Sequence, residues 1–252
     1  MAAVPSPAPC LHSVRAVVFD TDGVITDSAR SHAAAWKKAF DACLSEWEGQ
    51  RPFDQVDDYL RHVDGRSRRD GAAAFLASRG LDLPDGSPDD PPGTATVWAV
   101  AARKDELFTE TLRTHRVDVW PGTVRLLHAL RGERMPCAAV SASRHATELL
   151  SRAGLIGEFG AVVDGNEARR LGLAGKPDPA LFVEAARRLG VPVSDTAVVE
   201  DSLAGVEAGR RGGFGLVVGV DRTGGPGKAA DLRRRGADIV VSDPGELLIG
   251  ND

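Results

Sequence analysis

An α/β protein, built on a mostly parallel sheet and interrupted by a helical insertion, is what the order of sequence patterns predicts. Three observations carry that reading. Short β-branched runs recur near the start of the chain and again through its second half. Helical patterns alternate with them there. Between the first and second runs lies a long stretch with helical patterns and no convincing strand. Continuous rather than alternating apolar character marks strands buried on both faces, as in a parallel sheet. Alternation of strand with helix puts helices on both sides of it.

The elements follow in order. "VRAVVFD" (Val14–Asp20) is the first strand. Three helical stretches come next: "ARSHAAAWKKAFDACL", "RSRRDGAAAFLASRG" and "TVWAVAARKDELFTETLRTH". Between the second and third lies a Pro/Gly/Asp-rich loop, "LDLPDGSPDDPPGT" (Leu81–Thr94), with no apolar periodicity. A parallel crossover needs only one helix, so the whole interval is expected to be an inserted subdomain. Strands then recur at "CAAVSAS" (Cys137–Ser143), "GAVVDG" (Gly160–Gly165), "TAVVED" (Thr196–Asp201), "GLVVGV" (Gly215–Val220) and "ADIVVSD" (Ala237–Asp243). Helical patterns "PGTVRLLHALRG", "ATELLSRAGL", "DPALFVEAARRLG" and "SLAGVEAGRRGG" are interleaved with them, several stopping at glycine. The fold class is therefore a doubly wound, mostly parallel Rossmann-like sheet with an inserted α-helical cap subdomain. The expected division is a disordered Ala/Pro-rich tail over 1–13, the α/β core over 14–28 and 119–252, and the helical cap over 29–118.

Composition narrows the function classes. The 252 residues are 42% hydrophobic and 27% charged, with a formal net charge of −5, which is the profile of an ordinary globular protein. Arg and Lys are scattered among Asp and Glu, so no basic block offers itself to a nucleic acid. Cys10, Cys43 and Cys137 form no CxxC or zinc spacing and fit a reduced, cytoplasmic setting. "MAAVPSPAPCLHS" is a poor signal peptide, and no apolar run approaches the ~20 residues of a membrane span. A soluble cytoplasmic protein, monomer or weak dimer, with no nucleic-acid or membrane partner, is expected.

The chemistry gathers at strand ends, where ligands bind in open α/β sheets. "VVFDTDGV" closes the first strand on Asp20 and Asp22. Residues i and i+2 of an extended strand share a face roughly 6–7 Å apart, so these two charges are aimed at one spot and call for a cation. The second strand ends in Ser141 and the fourth in Glu200 and Asp201, while Lys176 stands in "AGKPDPALF" before a helix expected to carry Pro177 and Pro179 in its first turn. Carboxylates, a hydroxyl and a lysine on one sheet edge suit Mg²⁺ with a phosphate. A carboxylate there can attack phosphorus, a second can protonate the leaving oxygen, and backbone N–H groups after Asp20 can hold phosphoryl oxygens.

This arrangement resembles the haloacid dehalogenase-like phosphotransferases over nearly the whole chain. DxDG stands as "VVFDTDGV", the strand-end serine as "VSAS", the lysine as "GKPDP" and the acidic pair as "VVEDSLAG". The resemblance implies that Asp20 is the nucleophile and Asp22 the general acid/base. It implies Mg²⁺ held by the Asp20 side chain, the Asp22 backbone carbonyl and Asp201, with Glu200 beside or in that shell. Ser141 and Lys176 would bind the phosphoryl group, joined by Thr21, Ala142 and Arg144. Within the superfamily the likeness is to the β-phosphoglucomutase branch, whose cap residues are matched by His32, Trp36, Arg68 and Lys104, and whose substrate loop is matched by Ser143 and His145. The expected substrate is a sugar phosphate or bisphosphate. The expected activity is interconversion of a β-sugar 1-phosphate and its 6-phosphate, with a sugar- or cyclitol-phosphate phosphatase as the alternative. Asp105 stands where asparagine is usual, and Arg144 and His145 where lysine and asparagine are, which bears on substrate more than on chemistry. Trp47, Trp98 and Trp120 read as packing.

Overall fold

The computed structural model describes residues 5–224 and 226–250. Two compact units emerge: Met1–Asp27 with Asp118–Asp252, and Ser28–Val117. The first is α/β. Its strands are β1 (Ser6–Pro7), β2 (Ala16–Asp20), β3 (Cys137–Val140), β4 (Ala161–Val163), β5 (Thr196–Glu200), β6 (Leu216–Val220), β7 (Ile239–Val241) and β8 (Leu248–Ile249). Six of them form one sheet in the order β4-β3-β2-β5-β6-β7, every neighbouring pair parallel.

β2 is buried along its whole length and its side chains divide between two cores. Val17 and Phe19 face a cluster containing Leu126, Leu127 and Leu130, while Val18 faces Leu181, Phe182 and Ala185 on the opposite side. Alternation along an extended chain produces this split, and burial on both sides is why the strand reads as a continuous apolar run. Burying a side chain such as Phe19 contributes about 1.5–3 kcal/mol.

The unit's helices are α4 (Pro121–Gly132), α5 (Ala146–Arg152), α6 (Gly165–Leu171), α7 (Ala180–Leu189), α8 (Leu203–Arg211) and α9 (Pro226–Arg235). Pro121 opens α4 where its missing N–H costs nothing. Ser202 caps α8 by accepting the Gly205 N–H at 3.0 Å. α6 and α9 were not expected from periodicity. α6 buries no residue, so its sequence carries no apolar stripe to read. Pro177 and Pro179 precede α7 rather than occupying its first turn; Pro179 is its N-cap.

The amino-terminal segment corrects another expectation. Residues 1–4 of the supposed tail lie outside the described residues, but 6–13 are built into the core unit. β1 pairs antiparallel with β8, and the Ala8 N–H donates to the Leu247 carbonyl at 2.8 Å. Pro9–Ser13 then forms a 3-10 turn whose Leu11 is fully buried. One well-placed apolar anchor outweighs an Ala/Pro composition that looked unable to order itself.

The second unit is helical: α1 (Ala29–Leu44), α2 (Arg68–Ser78) and α3 (Val97–Thr114), with a π turn at Tyr59–Val63. Its core joins Trp36 and Phe40 of α1 to Phe75 and Leu76 of α2 and to Val97 and Val100 of α3. The loop Leu81–Thr94 is fastened to its neighbours. The Thr96 hydroxyl donates to Asp90 at 2.6 Å, Asp85 pairs with Arg69 at 2.8 Å, and the Thr94 hydroxyl donates to Glu46 at 2.7 Å. Trp47 is 45% exposed just beyond α1, so it is not the packing residue expected. No described helix is long and apolar enough to cross a membrane.

Candidate active site

Register sets the site. β2 lies between β3 and β5, with Asp20 opposite Val140 and Phe19 opposite Val199. Asp20 therefore ends its strand beside Glu200, and Ser141 follows immediately on the other side. The switch between the two halves of the sheet falls at this point, where open α/β sheets leave a crevice.

Lys176 is buried there and donates to Oδ1 of Asp20 and to Oε2 of Glu200 at 2.6 Å. One carboxylate oxygen each from Asp20, Glu200 and Asp201 lie within 4.8 Å of one another, all three residues being buried. Burial, then repulsion from Glu200, pushes the Asp20 carboxyl well above the usual range, with Asp201 and Asp22 adding to it and Lys176 opposing. Burial alone would lower the Lys176 ammonium, but the charges of Asp20 and Glu200 outweigh it and its pKa is raised. Three buried carboxylates against one ammonium leave negative charge uncompensated, at a cost of several kcal/mol per ion.

These residues fit a divalent cation of the Mg²⁺ type. The donor set is all hard oxygen, and space has been cleared around it. A Cβ on Gly23, at φ +92°, would overlap the Asp201 carboxylate, and one on Gly205 would overlap that of Glu200. Both Glu200 oxygens are engaged: its Oε1 accepts the N–H groups of Asp201 at 3.1 Å and Ser202 at 2.9 Å, while Oε2 takes Lys176.

The Ser141 hydroxyl donates to Oδ2 of Asp22 at 2.7 Å and accepts the Ser143 N–H at 2.9 Å. Thr21 departs from its expected use as a phosphate donor. Its N–H and its hydroxyl both go to the Val140 carbonyl, at 2.9 and 3.0 Å. Ala142, Ser143, Arg144 and His145 form the loop between β3 and α5. Gly165 N–H donates to the Ser143 carbonyl at 2.9 Å, Asn166 holds the Arg144 carbonyl at 2.9 Å, and His145 is the residue before α5. Asp164 caps α6 through the N–H groups of Asn166 and Glu167.

The remaining expected residues belong to the helical unit and fall into two pairs. Lys104 Nζ lies 2.7 Å from His32 Nδ1, with Phe108 stacked on the imidazole at 3.9 Å and the Trp36 ring 5.5 Å from the ammonium. Arg68 pairs with Asp105 at 3.0 Å and lies over Trp98 at 5.7 Å. Asp105, the unexpected residue after Lys104, is thus the partner of an arginine that was expected to bind phosphate. Gly205 escaped the sequence reading, although its place three residues after Ser202 in "DSLAG" is a signal that the helix start there is crowded.

A parallel sheet with buried acids and a lysine at the carboxyl ends of its central strands is that of an α/β phosphotransferase. The chain belongs to the haloacid dehalogenase-like hydrolases, whose family profile matches residues 14–213. It is 45% identical over 240 residues to a β-phosphoglucomutase of Mycobacterium tuberculosis, covering 93% of this chain and 92% of that one. It is 32% identical over 244 residues to a β-phosphoglucomutase of Bacillus subtilis, covering 94% and 92%. A hydrolase from Pseudomonas syringae of known crystal structure matches with a TM-score of 0.73 at 25% identity, over 92% of this chain and 95% of its own. Both the α/β fold class and the family expected from the motifs are confirmed.

Proposed function

We propose that this chain transfers a phosphoryl group through an aspartyl-phosphate on Asp20, and that its reaction interconverts a β-sugar 1-phosphate and the 6-phosphate. The observation that carries the chemistry is the buried convergence of Asp20, Lys176, Glu200 and Asp201. The 45% identity to a protein named β-phosphoglucomutase supports the choice of sugar.

An Asp20 oxygen attacks phosphorus as the bond from phosphorus to the sugar oxygen breaks, and Asp22 gives that oxygen a proton. In the return step Asp22 takes the proton of an incoming hydroxyl, which attacks the aspartyl-phosphate and frees Asp20. Lys176, held by Glu200, keeps a positive charge against the nucleophile and the incoming anion. Asp20, Asp201 and the Asp22 carbonyl, with Glu200 beside them, would hold Mg²⁺, which would supply the charge neutralisation that lets one anion approach another. Ser141 aims the Asp22 carboxylate.

One observation favours a second reading, a sugar-phosphate phosphatase. Arg68 is already balanced by Asp105, and a guanidinium so paired has less to offer a second phosphate. Phosphorus NMR separates the two. With β-glucose 1-phosphate, Mg²⁺ and a trace of β-glucose 1,6-bisphosphate, glucose 6-phosphate is the expected product; inorganic phosphate alone would select the phosphatase.

A further inference from the structure

The turn after Asp20 is closed upon itself and fastened from behind. Gly23 N–H donates to the Thr26 carbonyl at 2.8 Å, and the N–H groups of Ile25 and Thr26 both reach the Thr21 carbonyl, at 3.0 and 2.9 Å. Three other carbonyls leave the turn. That of Gly23 accepts Nε of Arg222 at 2.8 Å. That of Val24 accepts the Thr123 hydroxyl at 2.6 Å and Nη2 of Arg222 at 3.4 Å, and that of Ile25 accepts the Trp120 N–H at 3.0 Å.

Arg222 is itself gripped. Its Nη1 donates to Oδ2 of Asp243 at 3.0 Å, and its guanidinium lies 3.7 Å from the centroid of the Trp120 ring. Asp243 accepts the Gly245 N–H at 2.7 Å and is packed so closely on Gly122 that any Cβ there would overlap it. A planar fork that meets two carbonyls, a carboxylate and an aromatic face at once is a task for arginine and not for lysine.

The peptide unit is planar, so fixing the N–H and the C=O of Gly23 fixes both planes that flank it. The first of those planes contains the Asp22 carbonyl. Gly23 sits at φ +92° and has the widest conformational freedom of any residue, so the turn needs an external hold to keep one geometry. We infer that Arg222 is a positioning residue for phosphoryl transfer: it clamps the Gly23 and Val24 carbonyls and so fixes Asp22 relative to Asp20, with Asp243 and Trp120 holding the clamp. This rests on the roles given to Asp20 and Asp22 above.

The test compares full-length Arg222→Ala, Arg222→Lys and Arg188→Ala proteins in the NMR assay, with folding followed by circular dichroism. A misplacement near 1 Å costs about 100-fold in rate, so kcat of Arg222→Ala should fall by about that much while KM changes less than about threefold. Arg222→Lys should recover only a minor part. Millimolar guanidinium should raise kcat of folded Arg222→Ala and leave the wild type unchanged. Arg188, which serves the β4 edge through the Val162 carbonyl at 3.2 Å, should be dispensable for kcat. A folded Arg222→Ala protein with kcat within about twofold of wild type, or without guanidinium rescue, overturns the inference. Should Arg222→Ala not fold, a wild-type kcat in Arg222→Lys overturns it equally. A wild type that turns over beside an equally active Arg222→Ala protein sinks only this inference; an inactive wild type, or an active Asp20→Asn protein, sinks the reading of the site.

Discussion

The hydroxyl of Ser141 donates to Asp22 across 2.7 Å while accepting the Ser143 N–H at 2.9 Å. One oxygen thereby ties the end of β3 to the carboxylate proposed to move protons. Ser141→Ala removes both bonds and loosens the hold on the Asp22 carboxylate. The expected result is a fall in kcat of roughly 10- to 100-fold, with Mg²⁺ affinity little changed if, as proposed, Asp22 offers the ion only its backbone carbonyl. Unchanged kcat would remove Ser141 from the machinery.

Asp20 carries a stability cost with a definite sign. Its folded-state pKa is raised above the ordinary 3.8, first by burial and then by Glu200. The folded protein therefore binds more protons than the unfolded chain above that value, and stability falls as pH rises through the interval. Asp20→Asn removes the penalty. Metal-free Asp20→Asn protein should melt higher than wild type at pH 7, the gap narrowing toward pH 3.8, and should show no turnover. A lower melting temperature at pH 7 contradicts the electrostatic account.

A separate loss of stability in acid is expected from Glu184. Hydrogen bonds from Arg187 and then Arg188 hold the Glu184 carboxyl down from 4.5 to about 2. The stabilisation this gives is present above the unfolded value and is lost as pH falls toward the folded one. Exposure of Arg187 to solvent keeps it small. Urea unfolding between pH 5 and 3 should steepen less with pH in an Arg187→Ala/Arg188→Ala protein than in wild type; equal slopes would assign the acid loss elsewhere.

Asp105→Asn should release Arg68 from its 3.0 Å partner. If the chain is a mutase that uses this guanidinium for a bisphosphate, KM for the bisphosphate should fall in Asp105→Asn and rise in Arg68→Ala. No change in either variant would leave the pair a purely structural one.

Gly23 tests the space around the proposed cation. Gly23→Ala forces a side chain into left-handed backbone at φ +92° and into the Asp201 carboxylate, at a cost of order 1–3 kcal/mol. Calorimetric titration with Mg²⁺ should show weakened binding in a protein that still folds, and wild-type affinity would argue that Asp201 is not a ligand.

The central strands β2, β3, β5 and β6 were legible because each is a contiguous buried run, and the four motifs because each lies at a strand or helix end; β1 and β8, two residues each and half-exposed, carry no such run. What escaped was chemistry assembled across the sequence. Arg222 lies 199 positions from the Gly23 carbonyl it holds, and nothing local to "GVDRTGG" announces that contact. The Arg68–Asp105 pair likewise joins two helices, so Asp105 looked like a departure rather than a partner. Trp120, read as packing, is the platform beneath Arg222. Leu11 anchors residues that composition alone would leave loose.

Whether phosphate ever becomes bound to Asp20 is the question on which the account turns. Rapid quenching of the Mg²⁺-loaded protein with β-glucose 1,6-bisphosphate, followed by peptide mass spectrometry, should find one added phosphoryl group on the peptide bearing Asp20 in wild type and none in Asp20→Asn. A turning-over wild type that never carries that mass, or an adduct located on any other residue, would contradict it.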